Sequence, residues 1–235
     1  MNIDITRSLR YALSEPLIGN QQLVLDIGCG DGKITGYLAE HSKRVFGFDP
    51  DISTIEKASK SNLKNNLHLL VCRGEAIGFG PTSFDSILFC QSLHHIPVEY
   101  QSRALEEAGS ILAVGGRLTI VEPVYQKGSF GDITALYSTE RKSKRFAIQA
   151  ARNLSGNVFS LISEKTIQVK CTCKNFDDLY ASTISNHPNP NWNPAIEKSI
   201  KEILDKCEVT STGEIVIDYY TTVFSYLKRK QGTTT

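Results

Sequence analysis

The chain has no Cys-x-x-Cys pair among its six cysteines, a single tryptophan, a single methionine and a net charge of only +1. No window approaches the roughly 20 consecutive apolar residues that a bilayer-spanning helix needs, so no membrane association is expected. The cysteines stand at 29, 72, 90, 171, 173 and 207, three of them in or beside predicted core strands. That usage points to reduced thiols and a cytoplasmic location. Cys171-Thr172-Cys173 does not make a zinc site. Residues two apart on a strand share a face but lie about 7 Å apart, and no further ligands accompany them, so no metal is expected. With 26 basic against 25 acidic residues there is no global argument for nucleic acid, and no such partner is expected. The first turns carry Asp4, Arg7, Arg10 and Glu15 rather than an apolar leader, which speaks against a secretion signal. Gln231 to Thr235 reads as a frayed end.

What the chain does have is a core: at 235 residues and 40% hydrophobic it fits one larger α/β domain, or one core with a small cap. Apolar runs predict strands near 23–28, 43–48, 67–72, 84–90 and 116–122, alternating with helical patterns near 31–41, 51–61 and 99–113. Such alternation predicts a Rossmann-like, doubly wound, mostly parallel α/β sheet, with ligands at the carboxyl ends of its strands.

The first of those ends is the most informative. Val24-Leu25-Asp26-Ile27-Gly28-Cys29-Gly30-Asp31-Gly32 is a buried strand running into a glycine turn that opens a helix. Residues without side chains let the backbone turn sharply and let a ligand approach its amides. The spacing is Gly-x-Gly-x-Gly, whereas dinucleotide binders use Gly-x-Gly-x-x-Gly to seat a pyrophosphate. Asp26, just before the glycines, would repel a pyrophosphate and suits a ligand carrying an ammonium group. An ordinary strand-to-helix turn with a solvated Asp is the bland alternative.

This stretch resembles the first motif of the class I S-adenosylmethionine-dependent methyltransferases, particularly those acting on small molecules. The resemblance implies that Gly28, Cys29 and Gly30 lie along the methionine part of the cofactor while Asp26 holds its amino end. Downstream, Arg44-Val45-Phe46-Gly47-Phe48-Asp49-Pro50-Asp51 reads as a second strand ending in an acid, 19 positions beyond Gly30. A carboxylate there can accept both ribose hydroxyls, so Asp49, with Pro50, joins the candidate site. Taken alone, Asp49 would be a helix cap, although Asp51 is the better cap for the helix that follows. Cys72-Arg73-Gly74-Glu75-Ala76 matches the family's adenine-binding turn. Glu75 would accept from the adenine amino group and the Ala76 amide would donate to a ring nitrogen. The family more often has Asp at the position of Glu75, and a Leu-Pro-Phe-like run where this chain has Ile77-Gly78-Phe79-Gly80-Pro81. Asp85 reads as the start of strand four rather than as a ligand contact. The resemblance spans residues 20 to 125.

After strand four, Gln91-Ser92-Leu93-His94-His95-Ile96-Pro97 again resembles small-molecule family members. Gln91 and Ser92 would flank the methionine portion. His94 and His95 are candidate general bases, since histidine titrates near neutral pH, against the plainer role of packing and capping a helix. Glu122, closing strand five, is a third catalytic candidate facing an acceptor, or else a loop acid.

Beyond Val124 the alternation breaks. Ile133, Leu136, Tyr137, Ile148, Ala151 and Leu154 suit one or two amphipathic helices. Residues 124–163 hold six basic groups, Lys127, Arg141, Lys142, Lys144, Arg145 and Arg152, against Asp132 and Glu140. A cap placed over the active face with that excess would attract an acidic small molecule, while a solvated helix face is the simpler reading. The expected organisation is a cofactor-binding core of residues 1–123 and 195–230, with a helical substrate insertion of 124–194. The loop Asn186 to Pro194 carries the only tryptophan and either closes over an acceptor or anchors the helix near 195–206. The β-rich run from Glu214 to Leu227, with Ile215 to Phe224 at its heart, supplies the last strand or a hairpin, and the resemblance implies a strand that joins the sheet edge antiparallel. The function expected is methyl transfer from S-adenosyl-L-methionine to a small molecule. The chain lacks the Asn/Asp-Pro-Pro-aromatic and Pro-Cys motifs of base-modifying relatives at strand four. Two readings compete: a non-catalytic binder or sensor of the same cofactor, and a nicotinamide-dependent oxidoreductase, which the glycine spacing fits poorly.

Overall fold

Short apolar runs form a buried parallel sheet wherever both of its faces are covered. A computed structural model describes residues 23–230 apart from 62, 63, 82, 83, 155, 157, 187, 188 and 190. The expectations for the charged N-terminal turns and for the last five residues therefore lie outside the described residues. The first five strands are β1 (Leu23–Ile27), β2 (Arg44–Asp49), β3 (Leu67–Val71), β4 (Phe84–Cys90) and β5 (Leu112–Pro123). They alternate with α1 (Lys33–His41), α2 (Ile52–Ser61) and α3 (Val98–Ile111). These follow the predicted spans closely, because each strand is a run with little room for another assignment.

Two helices follow, α4 (Gly128–Tyr137) and α5 (Arg141–Arg152), then β6 (Phe159–Cys173), α6 (Phe176–Ser182), α7 (Pro194–Leu204) and β7 (Ile215–Lys228). The sheet order is β3-β2-β1-β4-β5-β7-β6. Strands β1 to β5 are mutually parallel; β7 is antiparallel as expected but is not at the edge, because β6 pairs along its other side. The segment after β5 thus opens with helices, as expected, and then contributes a long edge strand that the sequence reading did not place. Most of β6 is polar and exposed, with burial only at its ends. An edge strand paired on one side shows no apolar run.

The main core gathers Leu25, Phe84, Ile87, Phe89, Leu105, Ile120 and Phe224, all essentially inaccessible to water. Each such side chain contributes about 1.5–3 kcal/mol of burial. A second core joins α4, α6 and α7 through Ile133, Tyr137, Leu179, Ile200, Leu204 and Ile217. Trp192 belongs to it, with its ring 5.4 Å from Tyr180 and 6.2 Å from Tyr137. The Asn193 side chain accepts from the amides of Ala195 and Ile196 at the start of α7. Of the two roles considered for this loop, anchoring the helix is the one these contacts serve. Among the described residues no helix is long and apolar enough to cross a membrane.

Candidate active site

The parallel strands all end on one edge of the sheet, and the chain departs in opposite directions from β1 and β4. This is where an open α/β sheet leaves a crevice. A cavity of about 950 Å³ sits there, lined by Gly28, Cys29, Gly30, Asp49, Pro50, Glu75, Gln91 and Ser92 among others. Eight residues singled out from scattered positions in the sequence are thereby brought to one wall.

The glycine turn is held from behind. Gly28 and Cys29 both donate their amides to the Phe48 carbonyl at 2.7 and 2.8 Å, and Ser92 Oγ donates to the Ile27 carbonyl at 2.5 Å. Gly28 has φ +78°, and a Cβ built on it would stand 2.3 Å from Ser92 Cβ. Ser92 is tethered and cannot yield. Gly28→Ala is therefore expected to lower the unfolding free energy by about 2–5 kcal/mol through backbone strain and overpacking. Gly30 also has positive φ but open space around its Cβ. Gly30→Ala should cost only the backbone share, and urea unfolding of the two variants reads the difference.

Asp26 is fully buried at the end of β1. Its Oδ2 accepts from the Thr35 hydroxyl at 2.7 Å, and its Oδ1 has no partner among the described residues. Burial pushes its pKa from 3.8 up to about 7, against the lowering effect of the Thr35 bond and with some help from the charge of Asp49. A buried carboxylate oxygen without a donor is costly unless a cation meets it. Unlike the eight residues above, Asp26 is not part of the cavity lining, and its orphaned oxygen lies behind the wall that the glycine turn forms. Thr35 was not foreseen, since nothing local in the sequence marks a helix threonine as a carboxylate partner.

Asp49 does more than predicted. Its Oδ2 accepts from the Gly30 amide at 3.1 Å and its Oδ1 from the Asp51 amide at 3.0 Å, so it also shapes the turn it faces. Asp51 caps α2 by accepting from Ser53 and Thr54. Glu75 lines the cavity half-buried, whereas Ala76 lies outside its lining and gives its amide to the Arg73 carbonyl at 3.1 Å. That amide is engaged in a local turn, and the lining passes instead through Cys72, Arg73 and Gly74. Asp85 sits at the foot of β4 and accepts from the Leu23 amide at 2.9 Å, a structural role as expected.

Cys29, Cys72 and Cys90 all line the cavity. Burial raises all three thiol pKa values. The carboxylates of Asp26 and Asp49 add to this at Cys29, that of Glu75 at Cys72, and those of Asp26 and Glu122 at Cys90.

A smaller cavity of about 290 Å³ adjoins the first, walled by Tyr125, Phe130, Thr134, Tyr137, Glu140 and Tyr219, with His94, Lys144 and others. Gln91 and His95 line both cavities. Gln91 holds φ +56°, and its Nε2 is buried with no hydrogen-bond partner among the described residues. A strained, unsatisfied amide on a shared wall is a functional signature.

His94 and Glu122 form a buried pair, Nδ1 to Oε2 at 2.5 Å, and Glu122 Oε1 also accepts from the Leu93 amide at 3.0 Å. Glu122 is wholly inaccessible and lines neither cavity, so it does not face an acceptor as one sequence reading had it. It stands behind His94. With Nδ1–H directed at the carboxylate, Nε2 is the ring nitrogen left to accept a proton. His95 pairs with Glu140 at 3.2 Å, and Glu140 with Lys144 at 2.8 Å. Burial alone would raise the Glu140 pKa, but bonds from His95 and Lys144 and their charges hold it well below the usual carboxylate range. Candidate ligand atoms of His94, His95 and Glu140 lie within 4.8 Å of one another, with the Lys144 ammonium already beside Glu140. In the sequence Glu140 and Lys144 count only as charges, because their meeting with His95 is made by tertiary packing.

A family model described as a methyltransferase domain matches residues 25–120. Aklanonic acid methyltransferase of Streptomyces sp. strain C5 is 35% identical over 124 residues, covering 50% of this chain and 54% of that protein. The chain spans about half the length of several curated relatives that it matches, with 35 to 58% of theirs covered in the first five. A putative methyltransferase of Bacillus halodurans superposes with TM-score 0.67 at 16% identity, covering 95% of this chain and 100% of that one. The N-methyltransferase NodS of Bradyrhizobium japonicum, solved with S-adenosyl-L-homocysteine, gives TM-score 0.57 at 16% identity over 96% of this chain and 85% of its own. Residues 25–120 thus match a methyltransferase domain, and the described fold is shared with solved methyltransferases.

Proposed function

We propose that this protein transfers a methyl group from S-adenosyl-L-methionine to a small molecule seated in the cavity beside the cofactor site. The observation that carries this reading is the common wall: Gln91 and His95 line both the larger cavity and the smaller one. A donor and an acceptor held across one wall need little further chemistry from the protein.

The donor supplies a sulfonium-bound methyl that is already a strong electrophile. The residues that would hold it are Asp26 at the amino end, the Gly28–Gly30 turn along the chain, Asp49 at the ribose and Glu75 at the base. From behind that turn Asp26 offers an orphaned carboxylate oxygen of suitable charge, and the cavity of about 950 Å³ lies within the range of cofactor sites. On the acceptor side, the aromatic walls exclude water and His94 takes the proton that the nucleophile gives up, at Nε2. Glu122 keeps Nδ1–H directed away and stabilises the imidazolium that results. The relative named for aklanonic acid supports a small-molecule acceptor. The acceptor cavity, at about 290 Å³, is sized for one too. A cytoplasmic setting is in keeping with the six free thiols.

The test combines calorimetry with turnover. S-adenosylhomocysteine is expected to bind in the low micromolar range or tighter, and labelled methyl from S-adenosylmethionine should pass to members of a small-molecule acceptor panel. Binding without turnover on any acceptor would favour the non-catalytic binder. Binding of NAD in place of S-adenosylhomocysteine would overturn both.

A further inference from the structure

We infer that the methyl acceptor carries a multiply charged anionic group, of phosphate or carboxylate type, held in a basic groove that opens from the acceptor cavity. This rests on the small-molecule reading above and names the class of molecule. The groove encloses about 980 Å³ and is lined by Lys127, Arg141, Lys142, Lys144, Arg145 and Arg152, with no acidic residue in its lining. The six basic groups that made the segment after β5 stand out in the sequence therefore converge on one concave surface. Val124, Tyr125 and Lys144 line both this groove and the acceptor cavity.

What sets these cations apart from a solvated helix face is that they line one concave surface. Some surface cations elsewhere in this fold meet carboxylates, as Lys64 does Glu40 and Lys201 does Glu197. In the groove, Lys144 and Arg152 are paired, with Glu140 and Glu164. Lys127, Arg141, Lys142 and Arg145 have no acidic partner among the described residues. Three of these lie over aromatic rings instead: Lys127 over Tyr220 at 4.6 Å, Arg141 over Tyr125 at 5.3 Å and Lys142 over Phe146 at 5.8 Å. A ring face steadies a cation without supplying a counter-charge.

The helix is also held so that the charges stay together. Ala147 and Ala151 are fully buried against the core, and Tyr226 Oη donates to the Ala151 carbonyl at 2.6 Å. Arg141 and Arg145 are one turn apart on that fixed helix, and like charges at this spacing repel. An anion bound between them offsets the repulsion and accepts charge-assisted hydrogen bonds. The chain's overall charge of +1 argues for a local anion site rather than an extended basic face of the kind that tracks nucleic acid.

The experiment titrates inorganic pyrophosphate and citrate into the protein by calorimetry, with and without S-adenosylhomocysteine, and repeats both for the R141E/R145E and R141Q/R145Q variants. At least one anion should bind, pyrophosphate marking a phosphate-type site and citrate a carboxylate-type one. Loss of the charge-assisted bonds should weaken binding about tenfold or more in R141E/R145E and less in R141Q/R145Q. Unchanged affinity for S-adenosylhomocysteine shows that the variants remain folded. If neither anion binds, or both variants bind as the wild type does, the inference is overturned. It is equally overturned if a short single-stranded RNA binds more tightly than either anion and loses affinity in the variants. Failure of S-adenosylhomocysteine to bind the wild type would strike the methyl-transfer reading instead, and the anion titrations without it still report on the groove.

Discussion

Replacing Asp26 by Asn should abolish most cofactor binding while making the unliganded protein more stable. Truncating one partner of a buried, hydrogen-bonded charge pair costs about 2–5 kcal/mol, so the affinity for S-adenosylhomocysteine should fall by roughly two orders of magnitude. The stability change has the opposite sign for a reason that can be followed through. Folding raises the Asp26 pKa from 3.8 to about 7 by removing the carboxylate from water. Between those values the folded state binds more protons than the unfolded one, so stability falls as pH rises through the interval and stays low above it. An Asn keeps the oxygen that accepts from Thr35 and carries no charge to desolvate. Above pH 7, D26N should melt several degrees higher than the wild type without ligand, and the two should converge near pH 4. Wild-type affinity for S-adenosylhomocysteine should weaken as pH drops below about 7, because the ammonium then has to displace a proton. Thermal melts and calorimetry across pH check both halves. Equal melting of the two proteins at pH 8 would remove the argument that the orphaned oxygen is a cation site.

His94→Gln is expected to lower kcat by about 10²–10⁴-fold, the usual range for a lost general base, with the affinity for S-adenosylhomocysteine unchanged. His94 lines the acceptor cavity and not the larger one, which is what separates the two measurements. In the proposed mechanism Glu122 acts through His94, as a positioning residue. Glu122→Gln keeps the shape and the acceptor for the Leu93 amide but lets the ring nitrogens exchange roles. It should lower kcat by a similar order while leaving cofactor binding intact. Nitrogen chemical shifts of the His94 ring should show the proton on Nδ1 in the wild type and a mixed population in the variant. A merely structural Glu122 would change the melting temperature and leave the ring signals as they are. A normal kcat in H94Q, measured on an accepted substrate, would show that alignment alone suffices for this acceptor.

The half of the molecule that holds the cofactor could be read from the sequence because its information is local. A glycine turn after a buried strand, and an acid at the tip of the next strand, are determined by neighbours within ten residues. Those residues reach one cavity because parallel strands end on the same edge. Where the reading fell short, the missing information was tertiary. Ala76 looked available to a ligand, yet its amide closes a turn onto Arg73. Glu122 looked like an acceptor contact because it closes a strand at the right edge. Which side of the sheet it faces depends on His94 arriving from the loop after β4. Strand β6 was invisible because its residues pair along one edge and face water, so their polar alternation carries no core signal. Glu140 and Lys144 lie one helical turn apart and read as a surface pair until His95 is set beside them.

The three thiols around the larger cavity bear on a hazard particular to this chemistry. A sulfonium methyl donor alkylates good nucleophiles, and a cysteine becomes one only as its thiolate. Cys29, Cys72 and Cys90 line the cavity, yet burial and the adjoining carboxylates hold all three in the protonated form. The same buried Asp26 raises the pKa of two of these thiols. In the methyl-transfer reading, the negative charge that would meet the donor's ammonium also disfavours a thiolate at Cys29 and Cys90 beside it.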